Sequence, residues 1–196
     1  MRTEVTTWSL EMISAHDLRP GRLPRVGVAV ERAEVVVPAF SRFLYTAVGG
    51  DHHWTDRLAW SAPQWRAWLD RPGVETWVAR VRGTPAGYLE LESVGREARA
   101  GADVEVAYFG LLPEFRGQGL GGHLLGVGVR RAWDLGASRV WVHTCSLDGP
   151  HALDNYRARG FTVFATVTDL QDLPATPPGQ WPGATPAPGA TPGPGV

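Results

Sequence analysis

Seven residues in the middle of the chain, Arg116-Gly117-Gln118-Gly119-Leu120-Gly121-Gly122, have the types and spacing to hold a phosphate. Before them, Asp103 to Leu112 alternates as a strand does. Val104, Val106 and Tyr108 are expected on one face, and Glu105, Ala107 and Phe109 on the other. Pro113 cannot donate to a ladder and stops the strand. After the glycines, Leu120, Leu124 and Val127 recur at helical spacing, which predicts a helix from Gly119 to about Leu135. A strand, a glycine-rich turn and a helix N-terminus gather unpaired backbone N–H groups around one point, with the positive end of the helix dipole behind them. Arg116 adds a cation whose donors match phosphate oxygens. The ligand implied is a phosphate or pyrophosphate. No Gly-Lys-Ser/Thr is present, so this is not a nucleoside-triphosphate P-loop. Gly117, Gly119 and Gly122 do spell G-x-G-x-x-G, but alone that is a weak dinucleotide signal, and here Arg116 occupies the turn.

The spacing Arg116-x-x-Gly119-x-Gly121, with the preceding Glu-Val-Ala-Tyr-Phe-Gly-Leu-Leu-Pro-Glu-Phe, resembles the acetyl-CoA pyrophosphate loop of the GCN5-related N-acetyltransferase superfamily. A second motif lies downstream. Tyr156 stands four residues before Gly160-Phe161, as in that superfamily, with Ala152 one turn earlier. The superfamily's Asn seven residues before the Tyr is Gly149 here, next to Asp148. The resemblance implies acetyl-CoA as cosubstrate, with Phe109, Gly110, Leu111 and the loop from Arg116 through Gly117, Gln118, Gly119, Leu120, Gly121 and Gly122 contacting it. It also implies direct acyl transfer to an amine. That chemistry needs a base for the ammonium proton, a donor for the oxyanion and a proton for the departing thiolate. Tyr156 is the expected proton donor, since a phenol of pKa ~10 stays protonated near neutrality beside a thiol of ~8.5.

Glu105 is the expected base, because plain alternation puts it on the Phe109 face. Glu90 and Glu92 on the neighbouring strand are runners-up. Cys145 and His143 alternate on one strand without making a nucleophile–base dyad, and a lone Cys reads as a small hydrophobe. His143 and His123 read as structural. Asp51, His52 and His53 do not have metal-site spacing, so no metal is expected. The acceptor wall implied by the resemblance holds Tyr45, Asp51, His52, His53, Trp54, Arg57 and Trp60, and an acidic group among aromatic rings suits an amine. Tyr45, Asp51 and Trp54 are the residues expected to touch it.

The elements that must position these groups follow in order. Strands are expected at Thr6–Met12 and from Val26. Pro38 opens a helix ended by Gly49-Gly50, and the Ser61–Gln64 capping box opens another to about Leu69. Glu75–Val81 and Ala86–Val94 form a hairpin, followed by a polar loop over 95–102. Past the phosphate turn come a strand at Arg139–Thr144, a helix from Pro150 to Gly160 and a strand at Phe161–Val167. The order matches the acyl-CoA N-acyltransferase fold. That fold is an α/β (α+β) arrangement: a mixed sheet of six to seven strands, about four helices, and a splay between the fourth and fifth core strands. Residues 25–170 would form this domain, with 1–24 an N-terminal extension carrying an added strand and 171–196 a disordered Pro/Gly/Ala/Thr tail.

Composition is compatible with this and narrows the partners. The 196 residues are 43% hydrophobic with a net charge of -1, which gives no reason to expect nucleic acid or an anionic membrane. All 19 cationic side chains are Arg, and one cysteine excludes an internal disulfide. No apolar run approaches the ~18 residues of a membrane span, so a cytoplasmic protein is expected. The acceptor is expected to be a small-molecule or peptide amine, and a homodimer is compatible with the sequence. Alternatives are a CoA-binding regulatory module without catalysis and acyl transfer to a non-amine acceptor.

Overall fold

Arg82 and Gly83 both adopt positive φ, 49° and 86°, in the two-residue turn that joins β3 (Val74–Val81) to β4 (Thr84–Val94). That turn twists with its flanking strands and makes a tight hairpin. Around it the computed structural model, which describes residues 1–94, 101–181 and 184, builds one seven-stranded sheet. The other strands are β1 (Arg2–Met12), β2 (Val28–Arg32), β5 (Asp103–Leu111), β6 (Arg139–Cys145) and β7 (Thr162–Asp172). The order is β2-β3-β4-β5-β6-β1-β7, antiparallel throughout except for β5 beside β6. The helices are α1 (Pro38–Gly49), α2 (Ala62–Leu69), α3 (Leu120–Asp134) and α4 (Ala152–Ala158). No helix among the described residues is long and apolar enough to cross a membrane.

The two faces of the sheet carry separate cores. Under α3 and α4 lie Leu10, Leu89, Leu91, Leu124 and Val140, all fully buried. Each such side chain stabilises the fold by roughly 1.5–3 kcal/mol. Gly128 lets α3 come this close, since a Cβ there would lie 2.5 Å from Leu89 Cδ1. Gly126 has no such reason; a Cβ would meet only Gly21 N, at 3.7 Å. Under α1 and α2 the core is aromatic, with Tyr45, Trp65 and Tyr88 buried. The capping box at the start of α2 forms as expected, with Ser61 N–H donating to Gln64 Oε1 at 2.8 Å.

The charged residues of that aromatic core explain its tryptophans. Arg57, 3% exposed, pairs with Glu90 at 2.8 Å, and Trp68 Nε1–H donates to the same carboxylate at 2.9 Å. The guanidinium lies over Trp60, Trp68 and Tyr108, 4.2–4.8 Å from their ring centres. Such a pair is held by desolvated hydrogen bonds and cation–π contacts rather than by solvent. Arg57 and Glu90 are therefore structural, which corrects Glu90 as a candidate base and Arg57 as part of an acceptor wall.

The strand expected in the N-terminal extension is β1, and its place is inside the sheet. It fills the slot between β6 and β7, pairing Thr7 with Cys145 on one side and with Val167 on the other. The crossover through α4 leaves β6 and β7 parallel and one strand apart, and β1 supplies the antiparallel neighbour each lacks. At the other end, residues 171 and 172 belong to β7, and the segment after it returns to α1, where Gly179 N–H donates to Gly50 O at 2.9 Å. Residues 171 and 172 of the tail expected from 171 are therefore strand. Residues 182–183 and 185–196 of it lie outside the described residues, as do 95–100 of the expected polar loop.

Candidate active site

β5 carries one residue more than its partner. Glu90 faces Tyr108 and Leu91 faces Val106, so Ala107 is the extra residue of a bulge. Alternation changes phase there. Val104, Val106 and Phe109 pack toward α3, while Tyr108 packs toward α1 and α2 and Glu105 lies on its side. This corrects the expectation that Glu105, Ala107 and Phe109 share a face, because a bulge is set by cross-strand pairing and not by local pattern. Gly110 permits a close approach of α1: a Cβ there would lie 2.5 Å from Val48 Cγ1.

Beyond Glu105 the sheet splits. β5 and β6 pair only from Asp103↔Arg139 to Glu105↔Trp141, after which β6 pairs with β1 alone. The wedge between them opens a cavity of about 720 Å³. Because β5 loses its β6 partner here, the backbone groups on that edge from Val106 to Leu111 are left to the cavity. This is the splay expected between the fourth and fifth core strands.

The phosphate turn forms one end of the cavity. Gly117 and Gly119 have φ of 75° and 80°, and a Cβ on either would meet nothing within 4 Å. The N–H groups of Gly117, Gln118 and Gly119 donate to no backbone carbonyl among the described residues, and the first turn of α3 adds its own free donors. Gly121 is close to Phe109, Leu111 and Asn155. Gln118 turns its amide back to Glu114 O at 2.9 Å, and Leu120 is buried in the core, so these two offer backbone only. Arg116 is pinned by Leu111 O at 3.2 Å and by Asp51 Oδ2 at 3.2 Å. Asp51 thus serves the arginine and does not line the cavity. His52 lines the cavity with Nδ1 3.3 Å from Leu147 O; burial, then Arg116, holds its pKa below the ordinary value.

Deep in the wedge stands Tyr156, 5% exposed, its ring edge-on to Phe109 at 5.9 Å. Burial, and after it the Asp148 carboxylate, push the phenol pKa well above the usual value, so the group keeps its proton. Asp148 itself is engaged, accepting from the Thr144 hydroxyl at 2.6 Å and from Cys145 N–H at 3.0 Å. The Cys145 thiol borders the cavity, but burial and then Asp148 raise its pKa, which opposes a thiolate nucleophile.

The cavity is also lined by Trp54, Asp56, Tyr108, His143, Thr7 and Gln171. Tyr108 O–H donates to Asp56 Oδ2 at 3.3 Å. Trp54 arrives here as expected, whereas Tyr45, 1% exposed, lies behind it in the core with its hydroxyl on Arg57 N–H. Glu105 does not reach the cavity. Its Oε1 lies 3.0 Å from Nδ1 of His143, and His143 does border the cavity. That bond, ahead of the opposing burial, raises the imidazole pKa. The sequence reading took His143 as structural. The available signal was its place on the strand beside the splay, two residues past Trp141, which is itself the register partner of Glu105. Glu92 is engaged elsewhere, with Arg71 at 2.6 Å.

Known proteins fit this arrangement. No curated protein sequence matches the chain. Among solved structures, a GCN5-related N-acetyltransferase from Kribbella flavida superposes with a TM-score of 0.60 at 23% identity, over 86% of this chain and 59% of its own. One from Sphaerobacter thermophilus gives 0.58 at 16%, over 85% and 51%. An aminoglycoside acetyltransferase from an uncultured soil metagenomic sample, in complex with sisomicin, gives 0.52 at 18%, over 67% and 86%. At these identities the likeness is one of fold, and the chain spans only half to three-fifths of the length of the first two. Residues 40–161, which hold the phosphate turn, the splay and Tyr156, match the Acetyltransferase (GNAT) family, and the chain belongs to that family.

Proposed function

We propose that the protein transfers an acetyl group from acetyl-CoA to an amine by direct attack in a ternary complex. The observation that carries this is the convergence on one wedge of three groups the reaction needs. They are free N–H donors at residues 117–122, a protonated buried phenol at Tyr156 and a carboxylate-backed imidazole at His143. The pyrophosphate lies on the turn, and the thioester runs inward along the unpaired edge of β5, where Phe109, Gly110 and Leu111 offer backbone groups to the carbonyl. An amine enters beside Asp56 and the rings of Trp54 and Tyr108, which suit a cation.

An ammonium has no lone pair, so a proton must leave first. Glu105 occupies Nδ1 of His143, which leaves Nε2 as the nitrogen able to take that proton, directly or through water. Glu105 is then the positioning residue and His143 the base. As the C–S bond breaks, Tyr156 gives its proton to sulfur, and the low polarity around it favours the neutral thiol over thiolate. The acceptor is a small-molecule or peptide amine, and the reaction calls for no metal.

Release of free thiol from acetyl-CoA, followed against a panel of amines, amino acids and peptides, tests the reading. Amine-dependent release supports it. Tight acetyl-CoA binding with no release above hydrolysis for any amine would leave a CoA-binding module and sink the enzyme assignment.

A further inference from the structure

Arg159 stands at the last turn of α4 with its guanidinium against Gly122, in the first turn of α3. A Cβ on that glycine would push the guanidinium aside. Its Nε is buried and has no hydrogen-bond partner. Among the described residues no carboxylate lies within ion-pair distance of it, although the other half-buried arginines near the sheet, Arg131 and Arg139, each have one at 2.8 Å or less. A cation at the N-terminus of a helix faces the positive end of the dipole, the unfavourable arrangement, unless an anion sits between them. Asn155, one turn back on α4, also turns its side chain to Gly121 and Gly122 and borders the cavity.

An independent feature brings more positive charge to the same place. The loop after β1 folds over the start of α3. Gly21 packs against Gly122, and Arg19 N–H donates to Arg159 O at 3.0 Å. This loop therefore carries Arg19 and Arg22 to the flank of the phosphate turn, in a chain whose net charge is only -1. Neither has a carboxylate within ion-pair distance among the described residues.

We propose that Arg159, flanked by the Arg19–Arg22 loop, forms a second anion site that takes the 3′-phosphate of the CoA ribose, next to the turn that takes the diphosphate. This rests on the acetyl-CoA reading above. It also gives the segment before β2 a role in cosubstrate choice: the site distinguishes CoA from the same carrier lacking the 3′-phosphate.

The test is calorimetric binding of acetyl-CoA and acetyl-dephospho-CoA to the full chain and to Arg159→Gln, with melting temperatures recorded for both proteins. The expected result is that the parent binds acetyl-CoA at least ~10-fold more tightly than the dephospho form, as a charge-assisted contact warrants. Arg159→Gln should remove that preference and leave dephospho affinity within about twofold. Arg159→Lys, which keeps the charge, should restore part of it. Arg22→Gln, a surface change that leaves the core intact, should weaken acetyl-CoA but not the dephospho form, so the proposal remains testable if Arg159→Gln folds poorly. Equal loss for both ligands, or no change for either, overturns the site while leaving the acetyl-CoA reading standing. A parent protein that binds neither ligand overturns both.

Discussion

Gly119 gives the sharpest test of the phosphate turn. Its φ of 80° is open to glycine and tolerable to Asn or Asp, and a side chain there would meet nothing within 4 Å. Gly119→Asn and Gly119→Asp therefore differ in charge and hardly in shape or strain. If the free N–H groups of this turn hold a pyrophosphate, the Asp carboxylate comes within several ångströms of it. Two unit charges ~4 Å apart at an effective dielectric of ~20 repel by about 4 kcal/mol. The turn is open to solvent and salt, so about 1.5–3 kcal/mol is the reasonable share. That corresponds to a ~10–150-fold weaker Kd for Asp than for Asn. Gly119→Ala adds the pure backbone penalty of roughly 1–2 kcal/mol and should lower thermal stability without the large loss of affinity. Calorimetric titration of acetyl-CoA into the three variants, at low and physiological salt, reads all of this. If Asp binds as well as Asn at low salt, no anion sits at this turn and the reasoning fails.

Three further outcomes are expected. Tyr156→Phe removes only the hydroxyl and should lower turnover ~10²-fold or more with acetyl-CoA affinity nearly kept; full activity would leave the ring as packing and a water as the donor. Glu105→Gln should move the acidic limb of the pH–rate profile to lower pH and slow the reaction. The sign follows because Glu105 raises the His143 pKa, so removing the anion lets the imidazole become neutral at lower pH; a limb that vanishes would make Glu105 itself the base. The same pair stabilises the fold below the ordinary imidazole pKa, and that contribution fades as pH rises through the raised folded value. Arg57→Met strands the buried Glu90 carboxylate and should cost about 3–5 kcal/mol in chemical denaturation at neutral pH; a change below ~1 kcal/mol would mean that the pair is solvated.

The parts of this site that are legible in the sequence are those made by neighbours in the chain. The strand stop at Pro113, the turn of glycines and the start of α3 all follow from residues 103 to 125, and Tyr156 before Gly160-Phe161 is local too. What escapes is set across strands. The bulge at Ala107 exists only against β4, and it redirects Glu105 from the cofactor wall to His143. Tyr45 and Arg57 look like an acceptor wall because aromatic rings and charges crowd one segment. Only the buried carboxylate of Glu90, more than thirty residues away, shows that they are core. Asp51 likewise reads as a substrate anchor until Arg116 is found beside it.

The slot occupied by β1 has a consequence in time. Its pairs join Thr7 to Cys145 and Arg2 to Asp172, almost the whole length of the chain apart. During synthesis this strand emerges before both of its partners, and β7 (Thr162–Asp172) is the later of the two. Until then it must wait with its apolar face, Trp8, Leu10 and Met12, uncovered. β1 pairs along the edge of β6 that faces away from the wedge, so that wall is fully paired only once β1 is in place. Contacts of such sequence separation slow folding, and here the delay falls on a strand that backs one wall of the wedge.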